Sequence, residues 1–136
     1  MRKLSLFFVT LILLVGTRAS SGEVKTPVRM PVREISESGE IFFRVKITAY
    51  TSSADECGNN LGITSSGEPA RDGIVACNFL PHGTRIKIPA LFGDKEFVVK
   101  DRMAKRKWNF VDVWVETKKT AFQIGKRTSR IVILGS

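Results

Sequence analysis

Asp101 and Asp112 stand eleven residues apart and bracket a basic, aromatic loop, Arg102-Met103-Ala104-Lys105-Arg106-Lys107-Trp108-Asn109. Each aspartate meets a β-branched run: Val98-Val99-Lys100 leads into the first, and Val111, Val113, Trp114 and Val115 surround the second. A strand that ends in a turn can hold a carboxyl group at the mouth of a cleft. A carboxyl group so placed can give a proton to a leaving group or stabilise developing positive charge. The apolar neighbours of Asp112 predict partial desolvation, which raises the pKa of a carboxyl group toward that of a usable acid. In the plainer reading each aspartate only closes a strand by accepting backbone hydrogen bonds in a turn. The loop between them offers Arg102, Lys105, Arg106 and Lys107 to anionic groups and Trp108 as a face for a sugar ring; its plainer reading is a solvated basic turn.

These residues need a scaffold, and the pattern predicts a strand-rich one. Phe43, Val45, Ile47 and Ala49 alternate with Arg44, Lys46 and Thr48, the period of a half-buried strand. Residues 51–73 dissolve into a long loop of turn residues, of the kind that often lines a site. Short strands are predicted near 74–76, 85–88, 96–100, 111–116 and 131–134, with turns at Pro81-His82-Gly83 and Gly93-Asp94. Thr117 can cap a helix over 118–124, with Gly125 ending it in a left-handed conformation. Six or so short strands and one short helix predict a mainly β fold, a small closed barrel without exposed edges.

Length and charge bound the rest. Arg2 and Lys3 precede an apolar stretch over 4–15, and small residues follow through Ser21. That order reads as a signal peptide over 1–19, too short in its apolar part to span a bilayer comfortably. Arg18 interrupts the small residues, so an uncleaved anchor tethering the protein to the membrane is the other reading. Residues 20–40, with scattered Ser, Gly, Pro and charge, read as a flexible arm, and 41–136 as the domain, enough for one core and too little for two. The whole chain carries 22 Lys+Arg against 13 Asp+Glu, and loss of Arg2, Lys3 and Arg18 leaves 19 against 13. In an exported protein of the cell envelope, periplasm or medium that excess points to an anionic wall polymer and not to nucleic acid, or it serves solubility alone. Cys57 and Cys77 would close a loop worth ~3 kcal/mol if they paired; two buried thiols are the alternative. Two cysteines and the single His82 show no metal-ligand spacing, and no cofactor motif occurs. His82 lies in a Pro-Gly turn and carries no catalytic pattern. No repeat or heptad signals an oligomer, so a monomer is expected.

Five blocks in register resemble the bacterial three-aspartate domain, a double-psi β-barrel related to the core of membrane-bound lytic transglycosylase A. They are Ile47-Thr48-Ala49-Tyr50-Thr51-Ser52, Gly62-Ile63-Thr64-Ser65-Ser66-Gly67, the stretch from Gly73 to Pro89, the Asp101 segment and the Asp112 segment, together covering roughly residues 45–134. The resemblance implies a six-stranded double-psi barrel acting on peptidoglycan glycan strands. It makes Asp112 the acid/base of a lytic transglycosylase, in which the sugar's own 6-hydroxyl replaces water and a 1,6-anhydro product forms. Asp101 aligns with the second aspartate, orienting Asp112 or stabilising charge. Tyr50 would line the cleft or pack at a barrel end, and Thr64, Ser65 and Ser66 would meet glycan hydroxyls. The first family aspartate is replaced by Asn78, which keeps an acceptor but cannot ionise and would bind a sugar hydroxyl or hold Asp101. The loop glycines of the family are absent too. Asp55 and Glu56 add carboxylates that rank below the later pair. A non-catalytic glycan-binding barrel of expansin type is therefore the rival expectation.

Overall fold

The computed structural model describes residues 30–57 and 62–135, apart from the side chains of Ala54 and Cys57. The leader and residues 20–29 of the arm lie outside the described residues. Seven strands form one sheet: β1 (Arg33–Ile35), β2 (Ile41–Tyr50), β3 (Ile74–Cys77), β4 (Arg85–Lys87), β5 (Glu96–Asp101), β6 (Phe110–Trp114) and β7 (Arg127–Gly135). Their order is β1-β2-β6-β3-β5-β4-β7, and a further pairing of β7 with β2 closes the last six into a barrel. β2 runs parallel to β6 and β3 parallel to β5, while every other pairing is antiparallel. Exchanging β2, β3 and β4 for β5, β6 and β7 returns the same circular order with the same strand senses. That internal twofold exchanges the two parallel pairings, β2–β6 and β3–β5, each of which joins a strand of one half to a strand of the other, and makes the closed six-stranded barrel double-psi.

The alternation predicted for β2 holds. Val45 and Ile47 are buried in the core, with Phe43 and Ala49 packed against it, while Lys46 and Thr48 face outward. Val75, Cys77, Val99, Val111 and Val113 complete the inner wall, with Phe97, Ile86, Ile88 and Ile131 filling the rest. α3 (Lys118–Ile124) is the expected helix. The Thr117 side chain accepts from the Thr120 N–H, and Gly125, at φ 58°, returns its own N–H to the Ala121 carbonyl. Two single-turn helices accompany it, α1 (Ala54–Cys57) and α2 (Pro89–Phe92), the latter opened by a proline whose missing N–H costs nothing at that position. β1 lies within the stretch read as a flexible arm. It contributes no core residue and pairs through its backbone to the edge of β2, with Arg33 opposite Phe43.

Candidate functional site

Register brings the two aspartates together. Asp112 on β6 and Asp101 on β5 are both partners of Ala76 on the intervening β3, and Thr48 on β2 is the next partner of Asp112. One row, Thr48–Asp112–Ala76–Asp101, thus crosses four strands on the outer face of the barrel. The register shift between Val75 and Ala76 passes over Lys100 and puts Asp101 into that row. Strand spacing sets the Asp101 and Asp112 backbones about 10 Å apart. Ala76, 3% exposed, is the small residue that leaves room between them. The internal twofold runs through this row, so the site joins the two halves of the barrel.

Loops wall the row into a cleft of about 520 Å³, lined by Tyr50, Glu56, Ile63, Thr64, Ser65, Ala76, Asp101, Asp112 and the loop residues Arg102, Met103, Ala104, Arg106 and Lys107. Asp112 is 9% exposed. Burial is the largest influence on it and pushes its carboxyl above the usual aspartate range; the nearby charges of Glu56 and Asp101 push the same way. The Thr48 hydroxyl, donating to Oδ1 at 2.8 Å, and the charge of Lys107 oppose the rise without cancelling it. The raised pKa was expected, but its source differs. Val111 and Val113 point into the core, as strand neighbours must, and the loops folded over the outer face dry the carboxyl. Replacing Thr48 with Val removes a hydrogen bond that favours the charged form. The alkaline limb of any Asp112-dependent activity should then move to higher pH, read from a pH–rate profile; a shift to lower pH would contradict this assignment.

Asp101 is tied down. Its Oδ1 accepts from the backbone N–H of Ser65 and of Arg102, each at 2.8 Å, and its Oδ2 from the Tyr50 hydroxyl at 3.2 Å. It pins the 62–70 loop to the end of β5, helped by the Ser66 N–H on the Lys100 carbonyl. Asn78 pins the opposite wall. Its amide donates to the carbonyls of Met103 and Ala104, both at 3.1 Å, and accepts from the Met103 N–H at 2.9 Å. It does not line the cleft, and its amide is spent on this loop. An aspartate there could not donate to two carbonyls, so Asn78→Asp should cost about 1–3 kcal/mol at neutral pH. Thermal unfolding should show a drop of several degrees, partly recovered in acid when the new carboxyl is protonated; no change at pH 7 would refute the clamp.

The remaining candidates divide. Tyr50 and Thr64 line the cleft, and Thr64 also caps its own loop by donating to the Glu68 carbonyl. Arg102 lines it with its guanidinium anchored on the Cys77 and Asp101 carbonyls. Ser66 is exposed, shares a hydrogen bond with Thr64 and stands outside the lining, as does half-buried Trp108. His82 is exposed beside Ser65. Cys77 is a buried free thiol whose pKa burial pushes up, and the side chain of Cys57 lies outside the described residues. One contributor was missed in the sequence and another was underrated. Thr48 carries the outward phase of β2, a signal that was present. Glu56, ranked low, reaches the cleft because Oε2 accepts from the Thr51 N–H at 2.8 Å and the Thr51 hydroxyl at 2.6 Å, bonds that hold its carboxyl below the usual range.

No family model matches this sequence, and no curated protein matches it.

Proposed function

We propose that the protein is an exported peptidoglycan-active enzyme, a lytic transglycosylase with Asp112 as its acid/base. The observation that carries this reading is a desolvated carboxyl, biased toward its protonated form, at the wall of an open cleft. The Asp112 O–H gives its proton to the glycosidic oxygen as the bond from the anomeric carbon breaks. The sugar's 6-hydroxyl oxygen then bonds to that carbon, and its proton passes to the Asp112 carboxylate, which regenerates the acid. A single acid/base suffices for this sequence, so neither the missing charge at residue 78 nor the structural duty of Asp101 blocks it. The carboxylate of Glu56, held below its usual range, supplies negative potential where positive charge develops.

The resemblance to the three-aspartate domain supports the glycan as substrate. A non-catalytic glycan-binding barrel is the second reading, favoured by one observation: Asp101 and Asn78 are both committed to holding loops. Incubation of the protein with purified peptidoglycan decides between them. Release of 1,6-anhydro muropeptides supports catalysis. Retention on the polymer without any such product supports the binding barrel.

A further inference from the structure

Three lysines converge on one aromatic ring beside the cleft. The Nζ atoms of Lys46, Lys107 and Lys126 lie 5.4, 5.7 and 5.4 Å from the centre of the Phe110 ring. Among the described residues none of the three takes part in an ion pair, whereas Lys87, Lys95, Lys100 and Lys118 each do. The ring's negative face attracts ammonium groups, which explains why they gather. It does not neutralise them, and ammonium groups 5.4, 5.7 and 5.4 Å from one ring centre stand no more than about 11 Å apart, comparable to the screening length of physiological salt, so they repel. Such a cluster favours an added anion.

Its placement is set by the register that builds the cleft. Lys46 and Phe110 are partners on β2 and β6, two residues before the partners Thr48 and Asp112, on the same outer face. Two residues of strand amount to about 7 Å. Lys107 belongs to both places, lining the cleft and bearing on Asp112. Lys126 comes from the turn before β7, whose Thr128 pairs with Lys46.

We infer that Lys46, Lys107 and Lys126 form an oxyanion subsite around Phe110, which takes a carboxylate or phosphate carried on a sugar neighbouring the one at Asp112. The inference rests on the glycan reading of the cleft and names the charge its substrate bears. Lys46 and Lys126 are the residues to vary, because neither lines the cleft. Binding is measured with the full chain carrying Asp112→Asn, so that no strand is consumed. Three probes are compared: peptide-free peptidoglycan strands with free lactyl carboxylates, the same strands methyl-esterified, and strands bearing muramic acid 6-phosphate.

Lys46→Gln or Lys126→Gln should weaken binding of the charged strands roughly tenfold and leave the esterified strands unaffected. Whichever oxyanion shows the larger lysine-dependent loss is the preferred one. Equal affinity of each variant and its parent for charged and esterified strands overturns the subsite. Cleavage by the chain with Asp112 intact, assayed in parallel, separates the two ideas. Cleavage that persists without lysine-dependent selectivity removes the subsite and leaves the enzyme. Lysine-dependent binding of charged strands without any cleavage leaves the subsite and removes the enzyme.

Discussion

Asp112→Asn is expected to lower glycan cleavage by about 10²–10⁴-fold, the range contributed by a positioned general acid/base. The amide keeps the size of the side chain and can still accept from Thr48, but it has no proton to give and cannot take one back. The same substitution should raise stability at neutral pH. Burial lifts the Asp112 carboxyl above its ordinary range, so the folded chain binds that proton more tightly than the unfolded chain does. Stability therefore falls as pH climbs from the unfolded value through the folded one, and the full cost of the buried charge is carried above both. Asn removes that cost. The variant's melting temperature should exceed wild type at pH 7, and the gap should close in acid below the ordinary aspartate range. A variant that loses activity and is less stable at pH 7 would point to a structural aspartate instead.

Phe97→Ala is expected to cost about 3–5 kcal/mol, the usual loss for deleting a buried aromatic ring. Phe97 is 1% exposed, and its ring meets that of Phe92 edge-on at 5.0 Å. It sits on β5, opposite Ile86 of β4, and the same strand ends at Asp101. Small domains are stable by only about 5–15 kcal/mol, so denaturant unfolding should show a midpoint lowered by a large fraction. The effect should appear in stability before chemistry, because the ring does not line the cleft. A loss under 1 kcal/mol would mean that the core around β4 and β5 is packed otherwise.

Much of the scaffold is legible in the chain because its signals are local. The alternation through β2, the Thr117 and Gly125 caps of α3 and the turns at Gly83 and Gly93 each rest on a few adjacent residues. β7 is longer than the apolar stretch near its end suggests: Arg127, Thr128, Ser129 and Arg130 look like a loop, yet their backbones pair with β2. β1 and α2 escaped for the same reason, since backbone pairing and a single proline-led turn leave little trace in side-chain pattern.

The site is half legible. Spacing singles out Asp101 and Asp112, but their meeting depends on β3 lying between their strands, and no local pattern encodes which strand inserts where. The drying of Asp112 also has a non-local origin, in loops that are remote in sequence. Asn78, which resembles a weakened site residue in the sequence, is a clamp whose two donors suit its loop better than a carboxylate would.

The acid role of Asp112 depends most on a carboxyl whose pKa burial raises while it stands at an open cleft. Carbon-13 NMR of the Asp112 side-chain carboxyl, followed through a pH titration of the intact protein and assigned with Asp112→Asn, measures this directly. The structure predicts a midpoint above the ordinary aspartate range, rising further in Thr48→Val. A midpoint at or below that range would contradict the acid role assigned to Asp112 and leave the cleft a binding surface.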